Sequence, residues 1–242
     1  MHTRRYARRG GDRARGPRSA RPREREDRLT PILKDPRVVP FGDSALLVEL
    51  GDRVNAKLVE RCRALAEAWE DLGHGPAVPA YASVLVRFDP RRLDPLEAER
   101  GVSDALARST EIEPTNPRTV EIPTRYDGPD LAETASASGV DTKTLVRLHS
   151  ERDYVAFFLG FLPGFAYCGT LDARIVAPRL ARPHERVPAG SVAVADGQTG
   201  VYPFDSPGGW RILGSTDLVM FDAAREPPAL IRPGDRVRFV PQ

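Results

Sequence analysis

Apolar residues recur along this chain at two periods, and the change from one to the other organises it. In "VVPFGDSALLVEL", residues 38–50, Ala45, Leu47 and Glu49 alternate against Leu46 and Val48, which predicts two short strands about a Gly-Asp turn. From Val54 to Leu72 the period lengthens. Val54, Leu58, Cys62, Leu65, Trp69 and Leu72 fall four or three apart, the apolar stripe of a helix lying on a sheet. "AYASVLVRFD" at 80–89 returns to strand. "DPLEAERGVSDALA" then opens a second helix, with Asp94 as N-cap, Pro95 at the first helical position and Glu97 three residues after the cap. The order β-β-α-β-α, with room for a strand near Val78, predicts a small α+β domain over residues 37–112.

A polar, proline-bearing stretch, "RSTEIEPTNPRTV" at 108–120, reads as a linker. Beyond it "TVEIPTRY" is a strand, and 129–149 holds two short helical stretches, the second starting at Asp141. From Tyr154 onward short apolar runs alternate with Gly and Pro, the pattern of an all-β barrel or sandwich over residues 119–242. "SVAVADG", "WRILG", "DLVMFD" and "DRVRFV" are its clearest strands, and "RPGD" at 232–235 is a turn feeding the last of them.

Composition narrows the class. No apolar run reaches the roughly 20 residues that a membrane span needs, so no membrane partner is expected. The net charge of +2 hides an asymmetry. Eleven arginines against four acids give residues 1–28 a charge of +7, which leaves −5 for the rest. A mildly acidic folded part argues against a nucleic-acid surface. The Arg-rich stretch, taken as residues 1–36, reads as a solvated, disordered tail or as a translation start assigned too far upstream. Its twin arginines precede no apolar segment, so a secretion signal is not expected. Cys62 and Cys168 are the only cysteines, with no CxxC and no histidine at ligand spacing. Reduced thiols in a cytoplasmic protein are the expectation, Cys62 being a small core residue, and no metal is expected.

Several self-contained chemistries are excluded. The only lysines are Lys34, Lys57 and Lys143. None lies in GxxxxGK[ST] and none in a Met-Lys-Met context, so there is no P-loop and no biotin on this chain. GxSxG and HExxH are absent. What remains is a pair of polar-aromatic loops framed by Gly and Pro. In "QTGVYPFDSPGGW", 198–210, Gln198, Thr199 and Ser206 offer amide and hydroxyl groups, while Tyr202 and Trp210 offer flat faces with polar edges. In "FFLGFLPGFAYCG", 157–169, Phe157, Phe158 and Leu159 read as buried, with Phe165 and Tyr167 facing a cleft. Each loop taken alone is also what a hairpin with core aromatics looks like. Between them, "APRLARPHERVPAGS" carries Arg179, Arg182 and Arg186, either a solvated rim or a clamp for a carboxylate or phosphate. His149, ending a helix, reads as structural and His184 as exposed.

Taken together, "GFLPGFAYCGTLD", "PAGSVAV", "QTGVYPFDSPGGWRILGST" and "RPGDRVRFVP" resemble the family of 5-oxoprolinase B subunits. It is also called the allophanate hydrolase subunit 1 family and includes the sporulation-kinase inhibitor KipI. The resemblance runs from about residue 37 to residue 242. It implies an α+β N-terminal domain followed by an all-β cyclophilin-like barrel, and partners: the 5-oxoprolinase subunits C and A, in a complex that hydrolyses 5-oxo-L-proline to L-glutamate with ATP. ATP would be bound by the complex rather than by this chain alone. Phe161, Pro163, Gly164, Phe165 and Tyr167 match the family's GFxPGFxY, and residues from Gln198 to Trp210 match QTGxYPxxxPGGW. Ala166 and Cys168 depart from the family's usual Pro and Leu, which would loosen the loop and alter pocket shape. The implied site holds Phe165, Tyr167, Arg179, Arg186, Gln198, Thr199, Tyr202, Ser206 and Trp210 around a small lactam, with no catalytic acid or base assigned. Two other functions fit the same motifs: an inhibitor binding a histidine kinase, and half of a carboxyltransferase acting on urea or a related small amide.

Overall fold

The structure, a computed structural model, describes residues 36–52, 56–110 and 117–242. Residues 1–35 of the Arg-rich tail, Val54 and residues 111–116 of the anticipated linker lie outside the described residues.

The first half begins with β1 (Arg37–Pro40) and β2 (Ala45–Glu49), then α1 (Ala56–Asp71), β3 (Ala77–Pro79), β4 (Ser83–Arg87) and α2 (Pro95–Ser109). Its antiparallel sheet has the order β1-β2-β4-β3, so the strand near Val78 takes an edge. Leu58, Cys62, Leu65 and Trp69 of α1 are buried with Ala98, Val102 and Ala105 of α2 against Leu46, Val48, Val84 and Val86 of the sheet. Trp69 also donates its indole N–H to the Arg87 carbonyl at 3.1 Å. The capping box forms as read: the Glu97 N–H donates to Asp94 Oδ1 at 2.9 Å, and Glu97 Oε2 accepts the Asp94 N–H.

The second half runs β5 (Thr119–Thr124), α3 (Leu131–Ala137), α4 (Thr142–Ser150), β6 (Asp153–Leu159), β7 (Ala166–Gly169), β8 (His184–Val187), β9 (Ser191–Ala195), β10 (Gln198–Val201), β11 (Ser206–Gly208), β12 (Arg211–Ser215) and β13 (Arg236–Pro241). Seven strands make one sheet in the order β12-β9-β10-β7-β6-β13-β5, parallel only at β13/β5. Just past β5, Arg125 exchanges both backbone hydrogen bonds with Ser215 of β12, 2.9 and 2.8 Å, which brings the two edges of the sheet together into a near-closed barrel. Glycine is required at that seam. A Cβ on Gly214 would strike the Arg125 carbonyl, and one on Gly128 would strike the Ile212 carbonyl.

Three expectations are corrected. The second half is not all-β over 119–242: the two helical stretches expected at 129–149 form as α3 and α4 and pack on the barrel, and α4 buries Leu145, Leu148 and His149. "DLVMFD" is not a strand. Its carbonyls at Val219 and Met220 accept hydrogen bonds from the Arg225 guanidinium, and prolines at 227, 228 and 233 deny the region ladder donors. Nor is His184 exposed: Nε2 lies 2.8 Å from Oδ2 of buried Asp130, which also accepts the Ile212 N–H at 2.7 Å. Among the described residues no helix is long and apolar enough to cross a membrane, and both cysteines are free and buried.

Candidate functional site

The β6–β7 connection is a tight loop. Gly160 and Phe165 are bridged by an N–H···O bond of 3.1 Å, and Leu162 N–H donates to the Gly160 carbonyl at 2.8 Å. Two of its residues take left-handed backbone. Gly164, at φ 81°, does so without cost, whereas Phe161, at φ 67°, does so against its side chain. That conformation sets the Phe161 ring 59% exposed, edge-on to Phe165 at 5.6 Å.

Below it the two polar-aromatic loops of the sequence meet in an aromatic cluster. The Phe165 ring lies 5.0 Å from Tyr167, 5.2 Å from Tyr202 and 5.3 Å from Trp210, all edge-to-face. The Tyr202 hydroxyl accepts the Trp210 backbone N–H, and burial raises its pKa, so it stays a neutral phenol at pH 7. A Cβ at Gly208 would collide with that hydroxyl, which is why the Pro-Gly-Gly turn needs glycine here. These rings, with Phe161, Pro183, Pro207 and Gly209, line a cavity of about 270 Å³. Among the described residues, Arg179 is the one charged group in its lining. The guanidinium carbon sits 5.9 Å from the centre of the Trp210 ring, and Nε donates to Asp196 Oδ2 at 2.9 Å.

Five of the nine residues read as site residues therefore meet in one place: Phe165, Tyr167, Arg179, Tyr202 and Trp210. The other four lie elsewhere. Thr199 points into the barrel, where its Oγ1 is 2.8 Å from His149 Nε2 and donates to the Ala193 carbonyl at 3.1 Å. Gln198 faces a second cavity, of about 370 Å³, with its Oε1 accepting the Tyr81 hydroxyl at 2.7 Å. The Arg186 guanidinium turns outward onto Asp205, whose Oδ1 receives the Ala189 N–H at 2.8 Å. Ser206 Oγ is buried without a hydrogen bond on β11. Ala166 and Cys168 belong to the barrel core and do not line the aromatic cavity, and burial lifts the Cys168 thiol to about 12.

Two residues at these cavities, Tyr81 and Asp196, are not among the residues that the sequence singled out. Tyr81 comes from the first half and reaches across 117 residues of sequence to Gln198, and nothing local marks it. Asp196 had a signal. An Asp-Gly pair between two apolar runs predicts a type I′ turn, and Asp196 and Gly197 take φ 49° and 82° between β9 and β10.

Known proteins resemble this chain in sequence and in fold. The profile of the carboxyltransferase domain, subdomain C and D, matches residues 36–231. The 5-oxoprolinase B subunit of Escherichia coli O157:H7 is 42% identical over 206 residues, covering 84% of this chain and 94% of that protein. The chain belongs to the family of 5-oxoprolinase B subunits. The member from Bacillus subtilis (strain 168) is 38% identical, over 83% of this chain and 90% of that one. Among solved structures, that of TTHA0988 is similar at TM-score 0.73 and 39% identity, covering 82% of this chain. The likeness spans only 40% of the TTHA0988 chain. The Kluyveromyces lactis urea amidolyase is similar at TM-score 0.66 and 18% identity, over 86% of this chain and 15% of that one. At that identity the likeness concerns the fold alone.

Proposed function

We propose that this chain is the B subunit of an ATP-dependent 5-oxoprolinase, which opens the lactam 5-oxo-L-proline to L-glutamate together with subunits A and C in the cytoplasm. The observation that carries the reading is the 42% identity to the Escherichia coli B subunit along 94% of that protein. The aromatic cavity supports it. A five-membered lactam is a small flat ring bearing one carboxylate, and the cavity offers ring faces and one guanidinium. In this reading Arg179 meets the carboxylate, Trp210 and Tyr202 sandwich the ring, and Phe165 with Tyr167 keeps water from it. The barrel would be of the cyclophilin-like type, with the cavity on its outer wall.

Amide resonance makes direct attack by water slow, and ATP supplies the coupling by phosphorylating the amide oxygen. The cavity fits a triphosphate poorly, having a single guanidinium among otherwise uncharged described residues. We therefore assign the ATP-dependent step to a partner subunit and give this chain the holding and desolvation of the lactam. No residue here is assigned as the catalytic acid or base.

The match to the carboxyltransferase domain favours a second reading, half of a carboxyltransferase acting on urea or another small amide, with biotin carried on a different chain. One assay separates the two. ATP-dependent release of glutamate from 5-oxoproline is measured with this chain and subunits A and C, each omitted in turn. Activity lost on omitting this chain supports the oxoprolinase; bicarbonate-dependent ATP turnover with urea, and none with 5-oxoproline, would replace it. Within the active complex, Arg179→Met removes a charge-assisted hydrogen bond worth about 1.5–3 kcal/mol, so KM should rise roughly tenfold to hundredfold. An unchanged KM would remove Arg179 from the site.

A further inference from the structure

The second cavity has no part in that reading. It lies where the two halves of the molecule meet, with Tyr81 from the first and Phe157, Thr170, Asp196, Gly197 and Gln198 from the barrel. Its polar groups converge from separate elements. The Tyr81 hydroxyl is used as a donor to Gln198 Oε1, which leaves the Gln198 carboxamide N–H pair as donors and the Tyr81 oxygen as an acceptor. Asp196 Oδ2 receives Arg179 Nε, while Oδ1 has no hydrogen bond among the described residues.

The Arg179–Asp196 pair stands in the wall between the two cavities and sorts their charge. The guanidinium lines the aromatic cavity and the carboxylate lines the junction cavity. The first therefore favours an anion and the second a cation. The Tyr81 ring adds an aromatic face for a cation to approach. A metal ion is a poor match, because the lining has one carboxylate and, among the described residues, no group of three His, Cys, Asp or Glu forms a ligand set. An ammonium matches better. It would donate to Asp196 and to the Tyr81 oxygen, while the neighbouring Gln198 amide donates to an acceptor a few atoms away on the same ligand.

We propose that the junction cavity binds a small α-amino acid, its ammonium on Asp196 and its carboxylate on the Gln198 amide. The site stands on its own residues and does not require the lactam reaction. The closed lactam lacks an ammonium and is excluded by the same chemistry, whereas an amino acid released by ring opening belongs to the class it takes.

The test is calorimetric titration of the full chain with L-glutamate as probe, with N-acetyl-L-glutamate and 5-oxo-L-proline as controls. Saturable binding of L-glutamate at millimolar concentration is expected, with the N-acetyl compound about tenfold weaker or worse for loss of one charged contact. Asp196→Asn should also lose about tenfold, and asparagine tolerates the left-handed backbone there, so the fold is kept. Tyr81→Phe, which keeps the ring and removes the oxygen, should weaken binding by a smaller factor. Phe161→Ala, at the mouth of the other cavity, should leave it unchanged. Absence of glutamate binding, equal binding of N-acetyl-L-glutamate, or loss confined to Phe161→Ala would each overturn the proposal. None of these outcomes bears on whether the complex hydrolyses 5-oxoproline.

Discussion

The two halves of this molecule bury their interiors by different means. Around Trp69 the first half packs hydrocarbon on hydrocarbon: Leu46, Val48, Leu58, Leu65, Val84, Val86 and Val102 are all fully or nearly fully buried. The barrel instead threads a polar chain through its centre. The Tyr126 hydroxyl lies 2.7 Å from His149 Nδ1, His149 Nε2 lies 2.8 Å from Thr199 Oγ1, and Thr199 donates on to the Ala193 carbonyl. Because Thr199 spends its proton on that carbonyl, it accepts from His149 Nε2–H. Nδ1 is then the acceptor for Tyr126, so one tautomer satisfies every group. Tyr154 closes the set by donating to the His149 carbonyl at 2.8 Å. An apolar interior tolerates many packings of similar volume; a buried network tolerates one register, since any slip leaves a polar group unpaired. The barrel, whose edges must meet within a single hydrogen-bonded seam, is where register matters most.

That contrast can be broken from either side. The largest effect is expected from Trp69→Ala, which should cost about 3–5 kcal/mol in urea unfolding by opening a cavity, and should do so equally at pH 7 and pH 5. The barrel should respond to pH instead. Burial pulls the His149 pKa down to about 3 from 6.5, so the native state refuses a proton that the unfolded state accepts. Stability should therefore fall as pH drops below 6.5, by up to about 1.4 kcal/mol per pH unit, and this loss should level off near pH 3. A flat profile between about pH 6.5 and 4.5 would refute the neutral, buried histidine. Thr199→Val keeps the volume but strands the His149 N–H, at an expected cost of about 1–3 kcal/mol. If it proved neutral, Thr199 would not be part of a network. Smallest of all, Arg186→Ala should change stability by no more than about 1 kcal/mol, because its ion pair with Asp205 is largely exposed. It should also leave the KM for 5-oxoproline unaltered, whereas a raised KM would return Arg186 to the site.

Local chemistry was readable wherever one element decides the outcome. The helix stripe through Leu58, Cys62, Leu65 and Trp69, the Asp94–Pro95–Glu97 start of α2 and the Asp141 cap of α4 all depend on neighbours a few residues away. Side-chain direction in the barrel was not. Strands β9 and β10 are buried on both faces, Ser191 to Ala195 without exception, so alternation gives no hint that Thr199 faces inward while Gln198 beside it faces out. Composition likewise marked Arg179 and Arg186 as equals. What separates them is that Asp196 and Asp205 stand on different turns, and each draws its arginine to a different side. The Tyr81 contact rests on how two halves dock, information that no window of residues holds. "DLVMFD" misled for a related reason: it has the apolar content of a strand, but its pairing stops at a single antiparallel bridge, Phe221 with Ala229.

The position of β13 has a consequence for the order in which the protein can be made. The first sheet possesses all four of its strands once residue 87 has been synthesised. The barrel does not, because residues 236–241 lie between β5 and β6, pairing with β5 over six residues and with β6 over three. Until those residues emerge from the ribosome, β5 has no partner on that side and the edge of β6 stands open. The nascent chain thus carries a finished first half beside an unzipped cylinder while the whole of the barrel is being elongated, and the last strand acts as the key that locks it.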